Sequence, residues 1–342
     1  IVEEGVRSLR AGRTHYTSNF GTLELRRALS KHLERLYGLT YDPEGEILIT
    51  VGASEAVAAT MAALVDPGDE VILHEPSYVA YTPAVVFNGG TPVRVPTRFE
   101  DDFALDPSAL EAAITPRTKV VFLGYPCNPT GAVLPEASLL AIADICARHD
   151  LLVVSDEIYD RLVYGGHQHR PFSTLPGARD RTVLIGGFSK AYAMTGWRVG
   201  WLCAPRALVE GIVKVHQYEI MSAPTTAQDA AVVALTTAEQ DVQRMVNEYD
   251  RRRRMFVEAL SRLGLATFEP RGAFYAFPRI SGTGLTSQEF SERLLFEGQV
   301  AVIPGDSFGP SGSGHVRACY ATSYERLEEA VGRIGRFLDT LG

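Results

Sequence analysis

The sequence predicts an α/β protein in which a large domain has a mostly parallel central sheet and a smaller domain has an α+β arrangement. Short apolar, β-branched segments alternate with helical patterns in the first part of the chain, which is typical of strands joined by covering helices. Turn sequences such as Asp66-Pro67-Gly68-Asp69 separate these segments. After Pro224 the alternation ends, and the predicted strands and helices fall into separate groups.

The first part of the chain contains predicted strands with predicted helices between them. Asp106 followed by Pro107 indicates a helix start, because Asp caps a helix and proline fits its first position. The segment 151–155 is almost entirely apolar, as expected for a strand that is covered on both faces. The predicted strands are 46–51, 70–73, 119–124, 151–155, 182–186 and 198–203, and the predicted helices are 54–64, 78–87, 107–114 and 135–148.

The second part is predicted to be a smaller domain that a long helix joins to the first. Two helical patterns follow Pro224, and the second, over residues 241–263, is the candidate bridge. The pattern continues with an antiparallel strand pair, a helix over 287–296, short strands near Val300 and Val316, and a final helix from Ser323. We therefore expect a large domain at 15–245 and a small domain formed by 1–14 and 246–342.

Composition and charge exclude several classes of protein. Lys and Arg number 33 against 41 Asp and Glu, a formal net charge of −8, which opposes nucleic-acid binding because phosphates require clustered positive charge. The four cysteines form no CxxC pair and, with the histidines, no zinc-ligand spacing, so we expect a reduced compartment and no metal site. No apolar run reaches the ~18 residues of a membrane helix, and no signal peptide is visible. We therefore expect a cytoplasmic protein that binds neither nucleic acid nor membranes.

Polar and charged side chains follow several predicted strands, at the place where ligands bind in open α/β sheets. The turn 51–54 (VGAS) joins a strand to a helix and offers free backbone N–H groups to a phosphate. Later turns contribute an amide, a carboxylate, a phenol, a lysine and an arginine, which are Asn128, Asp156, Tyr159, Lys190 and Arg198. Each residue alone fits a structural role, such as a turn, a helix cap or a surface ion pair. Together they are the groups that pyridoxal phosphate needs: a lysine for a Schiff base, an acid for the pyridine nitrogen, donors for the ring oxygen and a cation for the phosphate.

Five motifs resemble those of class I/II aminotransferases, which are fold-type I pyridoxal-phosphate enzymes. They are NPTG at 128–131, SDEIY at 155–159, GFSKAYAMTGWRVG at 187–200, GAFYAFPRI at 272–280 and VRACYATS at 316–323. The resemblance extends in family order from about Arg13 to the last helix, and several segments, among them SYVAYTPAVVFNGG and PCNPTGAV, are most similar to archaeal-type aromatic aminotransferases. It implies a homodimeric enzyme that moves an amino group between an amino acid and a 2-oxo acid by a ping-pong mechanism.

The resemblance also implies roles for individual residues. Lys190 would form the Schiff base with pyridoxal 5′-phosphate and move the proton at the substrate Cα, while Asp156 would keep the pyridine nitrogen protonated. Tyr159 and Asn128 would bind the ring oxygen, Tyr78 would stack on the ring, and Arg317, with Asn128, would bind the substrate through its α-carboxylate. Tyr16 would reach the phosphate of the neighbouring subunit, so that the active sites of a dimer are shared. The full set expected to hold the cofactor is Tyr16, Ala53, Ser54, Tyr78, Asn128, Asp156, Tyr159, Ser189, Lys190 and Arg198.

Two departures from the family pattern concern the walls of this site. Gly187 stands where the family often has a serine, so one hydroxyl that would bind the phosphate is missing. Backbone N–H groups are expected to replace it, because glycine permits close approach. The N-terminal arm that helps to close the family's substrate site is absent from this sequence, which begins at Ile1.

The expected substrates are aromatic amino acids, or a broad aromatic and aliphatic range, with 2-oxoglutarate as the acceptor. Ser54 stands where the aspartate-preferring bacterial branch of the family has a lysine, and it offers no charge to a second carboxylate. Tyr16, Phe20 and Tyr78 would supply aromatic surface instead. Two alternatives stay open: a pyridoxal-phosphate-dependent carbon–sulfur β-lyase, and a non-catalytic regulatory domain that resembles an aminotransferase.

Overall fold

The computed structural model describes residues 1–341, and its centre is a seven-stranded sheet. The strand order is β1-β7-β6-β5-β4-β2-β3, and only β7 runs antiparallel to its neighbours. The predicted α/β class with a mostly parallel sheet is therefore confirmed. The strands are β1 (Ile47–Thr50), β2 (Glu70–Glu75), β3 (Thr91–Pro96), β4 (Thr118–Gly124), β5 (Leu152–Asp156), β6 (Thr182–Gly187) and β7 (Gly200–Cys203).

Helices cover both faces of this sheet because successive side chains of each strand point to opposite sides. In β4, Val120 and Phe122 pack in one buried cluster, whereas Val121 and Leu123 pack in another on the opposite face. The helices of this part are α1 (Val2–Arg10), α2 (Leu23–Tyr37), α3 (Gly52–Leu64), α4 (Tyr81–Val86), α5 (Pro107–Ala112), α6 (Glu136–Arg148), α7 (Arg206–Glu219) and α8 (Thr225–Thr237). The first face is covered by α3, α4 and α7, and the second by α2, α5, α6 and α8.

A separate buried cluster lies in the last third of the chain, where helices pack on a three-stranded sheet of order β8-β10-β9. Two of its helices start at side-chain caps: the Thr286 hydroxyl accepts from Glu289 N–H, and the Ser323 hydroxyl accepts from Arg326 N–H at the predicted start of the final helix. The elements are α9 (Glu239–Arg262), β8 (Tyr275–Ala276), α10 (Ser287–Gly298), β9 (Ile303–Pro304), β10 (Val316–Cys319) and α11 (Tyr324–Asp339).

Several elements differ from the prediction. The helices α1, α2 and α7 and the strand β3 were not predicted. The antiparallel pair expected after the long helix is instead the two-residue strand β8, which pairs with β10 far along the chain. The strand predicted at 198–203 begins at Gly200, because Arg198 adopts a φ of 53° that a strand cannot contain. The helix predicted from Tyr78 begins at Tyr81, which leaves Tyr78 in a loop.

The N-terminal helix packs on the large part of the structure. Helix α1 contacts α8, and Asp229 of α8 accepts hydrogen bonds from Ser8 Oγ at 2.6 Å and from Arg13 Nε at 2.5 Å. The division into a large domain at 15–245 and a small domain at 1–14 and 246–342 stays a prediction.

The topology brings several chain turns to one edge of the central sheet. Gly124, Asp156 and Ile185 lie side by side where β4, β5 and β6 end. Because β7 runs against its neighbours, its first residue lies at this same edge, where Gly200 pairs with Thr50 on one side and Gly187 on the other. The start of α3 and the turn after β6 are therefore adjacent.

Among residues 1–341, no helix is both long enough and apolar enough to cross a membrane. In the same residues, no group of three or more His, Cys, Asp or Glu side chains is arranged to hold a metal ion.

The close approach of β7 to α3 yields a stability prediction. A Cβ at position 200 would lie 2.6 Å from the backbone N of Ala53 and 2.6 Å from the carbonyl C of Gly52. We expect Gly200→Ala to lower the free energy of unfolding by roughly 1–3 kcal/mol in urea denaturation. The control is Gly211→Ala in α7, where a Cβ meets nothing within 4 Å. That substitution should raise the free energy of unfolding by roughly 0.5–1 kcal/mol, and equal effects of the two would contradict the prediction.

Candidate functional site

A cavity of about 380 Å³ opens at the edge of the sheet where β4, β5 and β6 end. The site residues predicted from the sequence all line it except two: Tyr16, whose side chain is 80% exposed elsewhere, and Phe20, which packs partly buried against the core cluster that contains α3. The predicted residues in the cavity wall are Ala53, Ser54, Tyr78, Asn128, Asp156, Tyr159, Ser189, Lys190, Arg198 and Arg317. The remaining lining residues are Val57, Ala80, Tyr81, Pro126, Ile158, Thr195 and Tyr275.

One end of the cavity is built to bind an anion. Helix α3 begins at Gly52, which has a φ of 77°, and the first N–H groups of a helix have no acceptor within it and carry partial positive charge. The Arg198 guanidinium lies against this turn, where it donates to Thr195 O at 3.0 Å and to Val51 O at 3.4 Å. Ser54, Ser189 and Thr195, which carry hydroxyl groups, also line the cavity. We call residues 52–54 with Ser189, Thr195 and Arg198 the anion cradle, and its donors suit a phosphate.

The glycine that departs from the family pattern lies beside this cradle. A Cβ at position 187 would approach Ile158 Cδ1 to 3.0 Å and Gly200 Cα to 3.2 Å. The backbone around Gly187 is therefore packed so closely that a side chain there would need its neighbours to move.

The carboxylate of Asp156 is buried beneath the cavity at the end of β5. Its Oδ2 accepts from Tyr81 Oη at 2.8 Å, and its Oδ1 accepts from Ile158 N–H at 3.2 Å. Burial raises the pKa of Asp156 to about 6, although these two hydrogen bonds act in the opposite direction. No basic side chain of residues 1–341 forms a salt bridge with it. A cationic ring nitrogen would supply the missing charge, so this carboxylate fits pyridoxal phosphate.

The amine of Lys190 faces aromatic side chains in the same cavity. Its Nζ lies 5.7 Å from the ring centre of Tyr159 and 5.4 Å from that of Phe274. Burial lowers the pKa of Lys190, and the positive charge of Arg317 acts in the same direction. A lowered pKa increases the fraction of unprotonated amine, which is the form that attacks a carbonyl group.

The guanidinium of Arg317 enters the cavity from β10 and is held in a fixed orientation. It donates to Asn128 Oδ1 at 2.7 Å, and its Cζ lies 4.6 Å from the ring centre of Tyr275 and 4.8 Å from that of Phe308. Because Asn128 accepts through Oδ1, its amide N–H₂ group is left to donate elsewhere. The planar guanidinium retains donors that match a carboxylate.

Sequence reasoning missed two tyrosines of the site. Tyr81 donates to Asp156, and Tyr275 shares a hydrogen bond of 3.0 Å with the hydroxyl of Tyr159. Burial raises the pKa of Tyr159 well above its ordinary value, so its phenol stays protonated and can donate. Both missed residues lie in segments that the family motifs contain, SYVAY and GAFYAF. Position in those motifs was the available signal.

Comparison with known proteins identifies the family. Residues 1–334 match the family model described as aminotransferase class I and II. The chain is 44% identical over 340 residues to a protein named aspartate aminotransferase from Pyrococcus abyssi, and 43% identical over 340 residues to one named aromatic-amino-acid aminotransferase 2 from Thermococcus litoralis. Both alignments cover 99% of this chain and 87% of the relative.

A solved structure has nearly the same fold. The crystal structure of an aromatic aminotransferase from Pyrococcus horikoshii matches with a TM-score of 0.97 at 44% identity, covering 99% of this chain and 91% of that one. The chain therefore belongs to the class I and II aminotransferases, the pyridoxal-phosphate-dependent enzymes of fold type I, and is an aminotransferase of amino-acid metabolism.

Proposed function

We propose that this enzyme transfers the amino group of aromatic amino acids, or of a broad aromatic and aliphatic range, to a 2-oxo acid by a ping-pong mechanism. The observation that carries the proposal is one cavity with three features: a lysine whose pKa is lowered, a buried carboxylate without a cation, and an anion cradle. Arg317 is the one arginine of the cavity outside the anion cradle, so the cavity offers one guanidinium to a substrate carboxylate. The amino acid and the keto acid would therefore bind at the same place, one after the other.

The cavity residues divide into those that would hold the cofactor and those that would hold the substrate. The anion cradle would bind the phosphate, Asp156 would pair with the protonated ring nitrogen, and Tyr78 would lie against the ring. Tyr159 and the free amide N–H₂ of Asn128 would donate to the ring oxygen. When bound, pyridoxal phosphate supplies an electron sink that stabilises negative charge at the substrate Cα.

Lys190 would serve the reaction in two ways. Its amine would hold the cofactor through a Schiff base before the substrate arrives, and once displaced it would move the proton at the substrate Cα. Arg317 would bind the α-carboxylate with the donors that Asn128 leaves free, which fixes the amino group of the substrate at the reacting position.

The role of Lys190 can be tested by chemical trapping. Borohydride reduces a Schiff base to a stable amine, so peptide mapping after reduction should place a pyridoxyl group on Lys190. We expect Lys190→Ala to lower the amino-transfer rate by at least about 10²–10⁴-fold, because it removes the linkage and the base. Lys214→Ala, on the exposed side of α7, is the control and should keep full activity. A pyridoxyl label on another lysine would disprove the assignment.

We expect Asp156→Asn to stabilise the cofactor-free protein but to impair the cofactor-bound enzyme. In the cofactor-free protein a folded pKa of about 6 against an ordinary carboxyl pKa near 4 destabilises the fold above pH 6, on the order of 3 kcal/mol by pH 8. This penalty declines as pH falls through 6 and is absent below pH 4. The variant should therefore unfold at higher urea than the wild type at pH 8, with a smaller difference at pH 5.

With cofactor bound, the same substitution should weaken binding and lower the rate, because the ring nitrogen loses its counter-charge. Urea titrations of both forms and a cofactor titration measure the two effects. Asp106→Asn, at the exposed start of α5, is the control, since asparagine caps a helix as well as aspartate does. A cofactor-free Asp156→Asn protein that is less stable than the wild type at pH 8 would refute the argument.

The substrate range is proposed from the charges of the cavity wall. Its basic residues are Lys190, Arg198 and Arg317, and each already has a role with the cofactor or the α-carboxylate. Ser54 is neutral, so no lining cation is left for a second carboxylate, and burying an unpaired carboxylate is costly. Tyr78 and Tyr275 offer aromatic surface instead. The relatives named for aspartate and for aromatic amino acids are almost equally similar, so overall identity does not choose between them.

Comparison of kcat/KM for phenylalanine, leucine and aspartate tests this range. We expect phenylalanine to exceed aspartate by at least about tenfold, corresponding to about 1.4 kcal/mol. Ser54→Lys should shift the ratio toward aspartate, while Ser54→Gln, of similar length without charge, should not. A wild-type preference for aspartate would overturn the argument from Ser54.

We also propose that the enzyme is a homodimer with shared active sites. Tyr16 is exposed and outside its own cavity, so it is free to reach the anion cradle of a second copy. Thr225 Oγ1 donates to His15 O at 2.7 Å, which ties this segment to the region of the exposed side chains Ile220 and Met221. Exposed apolar surface of this kind is typical of protein interfaces.

We further propose a cytoplasmic location. All four cysteines are unpaired thiols, which suits a reducing compartment. Cys127, Cys146 and Cys203 are buried as small apolar groups, and none of them needs a disulfide partner for packing.

A further inference from the structure

A buried carboxylate–imidazole pair adjoins the anion cradle. Glu55 follows Ser54 in the first turn of α3, and its side chain is only 8% exposed. One carboxylate oxygen accepts from Val51 N–H at 2.5 Å, and the other lies 2.5 Å from His216 Nδ1. His216 belongs to α7 and is fully buried. The pair therefore joins the turn that begins the cradle to a helix of the surrounding core.

The contact with Val51 bears on the shape of the cradle. Val51 is the turn residue between β1 and α3, with φ of −78° and ψ of 64°, and no side chain of its own caps the helix. Glu55 reaches back to bind its N–H, as the acidic residue of a capping box does. The direction in which the chain leaves β1 and enters α3 is thus fixed by Glu55.

The same carboxylate presents an electrostatic difficulty. A negative charge in the first turn of a helix stabilises that helix, but it repels a phosphate bound at the same helix end. The Nδ1–H of His216, donated to Glu55, offsets part of this charge and directs one oxygen toward α7. The other ring nitrogen, Nε2, is buried without any hydrogen-bond partner in residues 1–341. Burying an unpaired polar atom costs stability, so the ring's one polar contact, with Glu55, is the evident reason for a histidine at this position.

We propose that Glu55 and His216 are positioning residues of the anion cradle: Glu55 fixes the turn, and His216 offsets the charge of Glu55 so that a phosphate can bind. This inference rests on the proposed function, because it takes the anion to be the phosphate of the cofactor. Neither residue lines the cavity, so neither contacts the reacting atoms.

The test compares two substitutions of His216. Both remove the imidazole ring, but only one of them keeps a hydrogen-bond donor for Glu55. In His216→Asn the amide N–H₂ takes the place of Nδ1–H, whereas His216→Leu has no donor. Cofactor-free protein is titrated with pyridoxal phosphate and, separately, with inorganic phosphate as a probe of the cradle alone. We expect His216→Leu to lower the affinity for both ligands by about tenfold. The affinities of His216→Asn should stay within about threefold of those of the wild type.

A double substitution separates charge from packing. In a Glu55→Gln background the charge is gone, so adding His216→Leu should change the affinity for either ligand by less than about threefold. This comparison also decides the matter if His216→Leu alone does not fold. Glu70→Gln is the control, since Glu70 is another buried carboxylate, paired with Arg117 at the far end of β2. It should lower stability without changing either affinity.

The outcomes distinguish the positioning role of Glu55 and His216 from the proposed function. Equal affinities of His216→Leu and His216→Asn, or an undiminished effect of His216→Leu in the Glu55→Gln background, would overturn the positioning role. Failure of the wild-type protein to bind pyridoxal phosphate would instead refute the proposed function, whatever the variants do.

Discussion

Burying a carboxylate without a counter-charge costs free energy, and the structure bears this cost at Asp156. The neighbouring Glu157 is also buried, but it accepts from the Ser155 hydroxyl, the Phe172 N–H and the His169 imidazole. Asp156 has only Tyr81 and Ile158 N–H as donors. Two adjacent carboxylates at the end of β5 thus have different roles: Glu157 binds the following loop, and Asp156 is available to a cation in the cavity. The cavity above it is arranged around that requirement.

The positive groups of the cavity come from two parts of the fold. Lys190 and Arg198 belong to the connection between β6 and β7, and Arg317 belongs to the small sheet. Backbone carbonyl groups hold Arg198, whereas Asn128 and two aromatic rings hold Arg317, and both guanidinium groups retain donors for a ligand. Packing and hydrogen bonding thereby keep three like charges in one cavity of about 380 Å³. Ligands with an anion at each end would relieve their mutual repulsion.

Features that depend on neighbouring residues in the chain could be predicted from the sequence, whereas contacts between distant residues could not. Six of the seven strands of the central sheet are short apolar runs, so local pattern located them, and the motifs located Lys190, Asp156 and Arg317. The strand β3 was missed because it is largely exposed and contains two prolines and an arginine. Tyr81 lies in the motif SYVAY, but its role was missed because only the fold brings its hydroxyl to Asp156, which is 75 residues away in the chain. The pairing of β8 with β10 was missed for the same reason, since two-residue strands are defined by their partner. Arg198 was placed in a strand because its left-handed backbone conformation is invisible in the sequence.

The antiparallel strand β7 also has a mechanical consequence. Gly187 and Gly200 pair at the base of the loop between β6 and β7, so residues 188–199 form a closed loop anchored in adjacent strands. The amine of Lys190 and the guanidinium of Arg198 belong to that one loop, whereas Arg317 is carried by the separate sheet of the C-terminal part. A rotation of the C-terminal part would move Arg317 relative to the other two while leaving their separation unchanged. The separation of Lys190 and Arg198 is thus set within one loop, whereas their distance to Arg317 depends on how the C-terminal part packs on the central sheet.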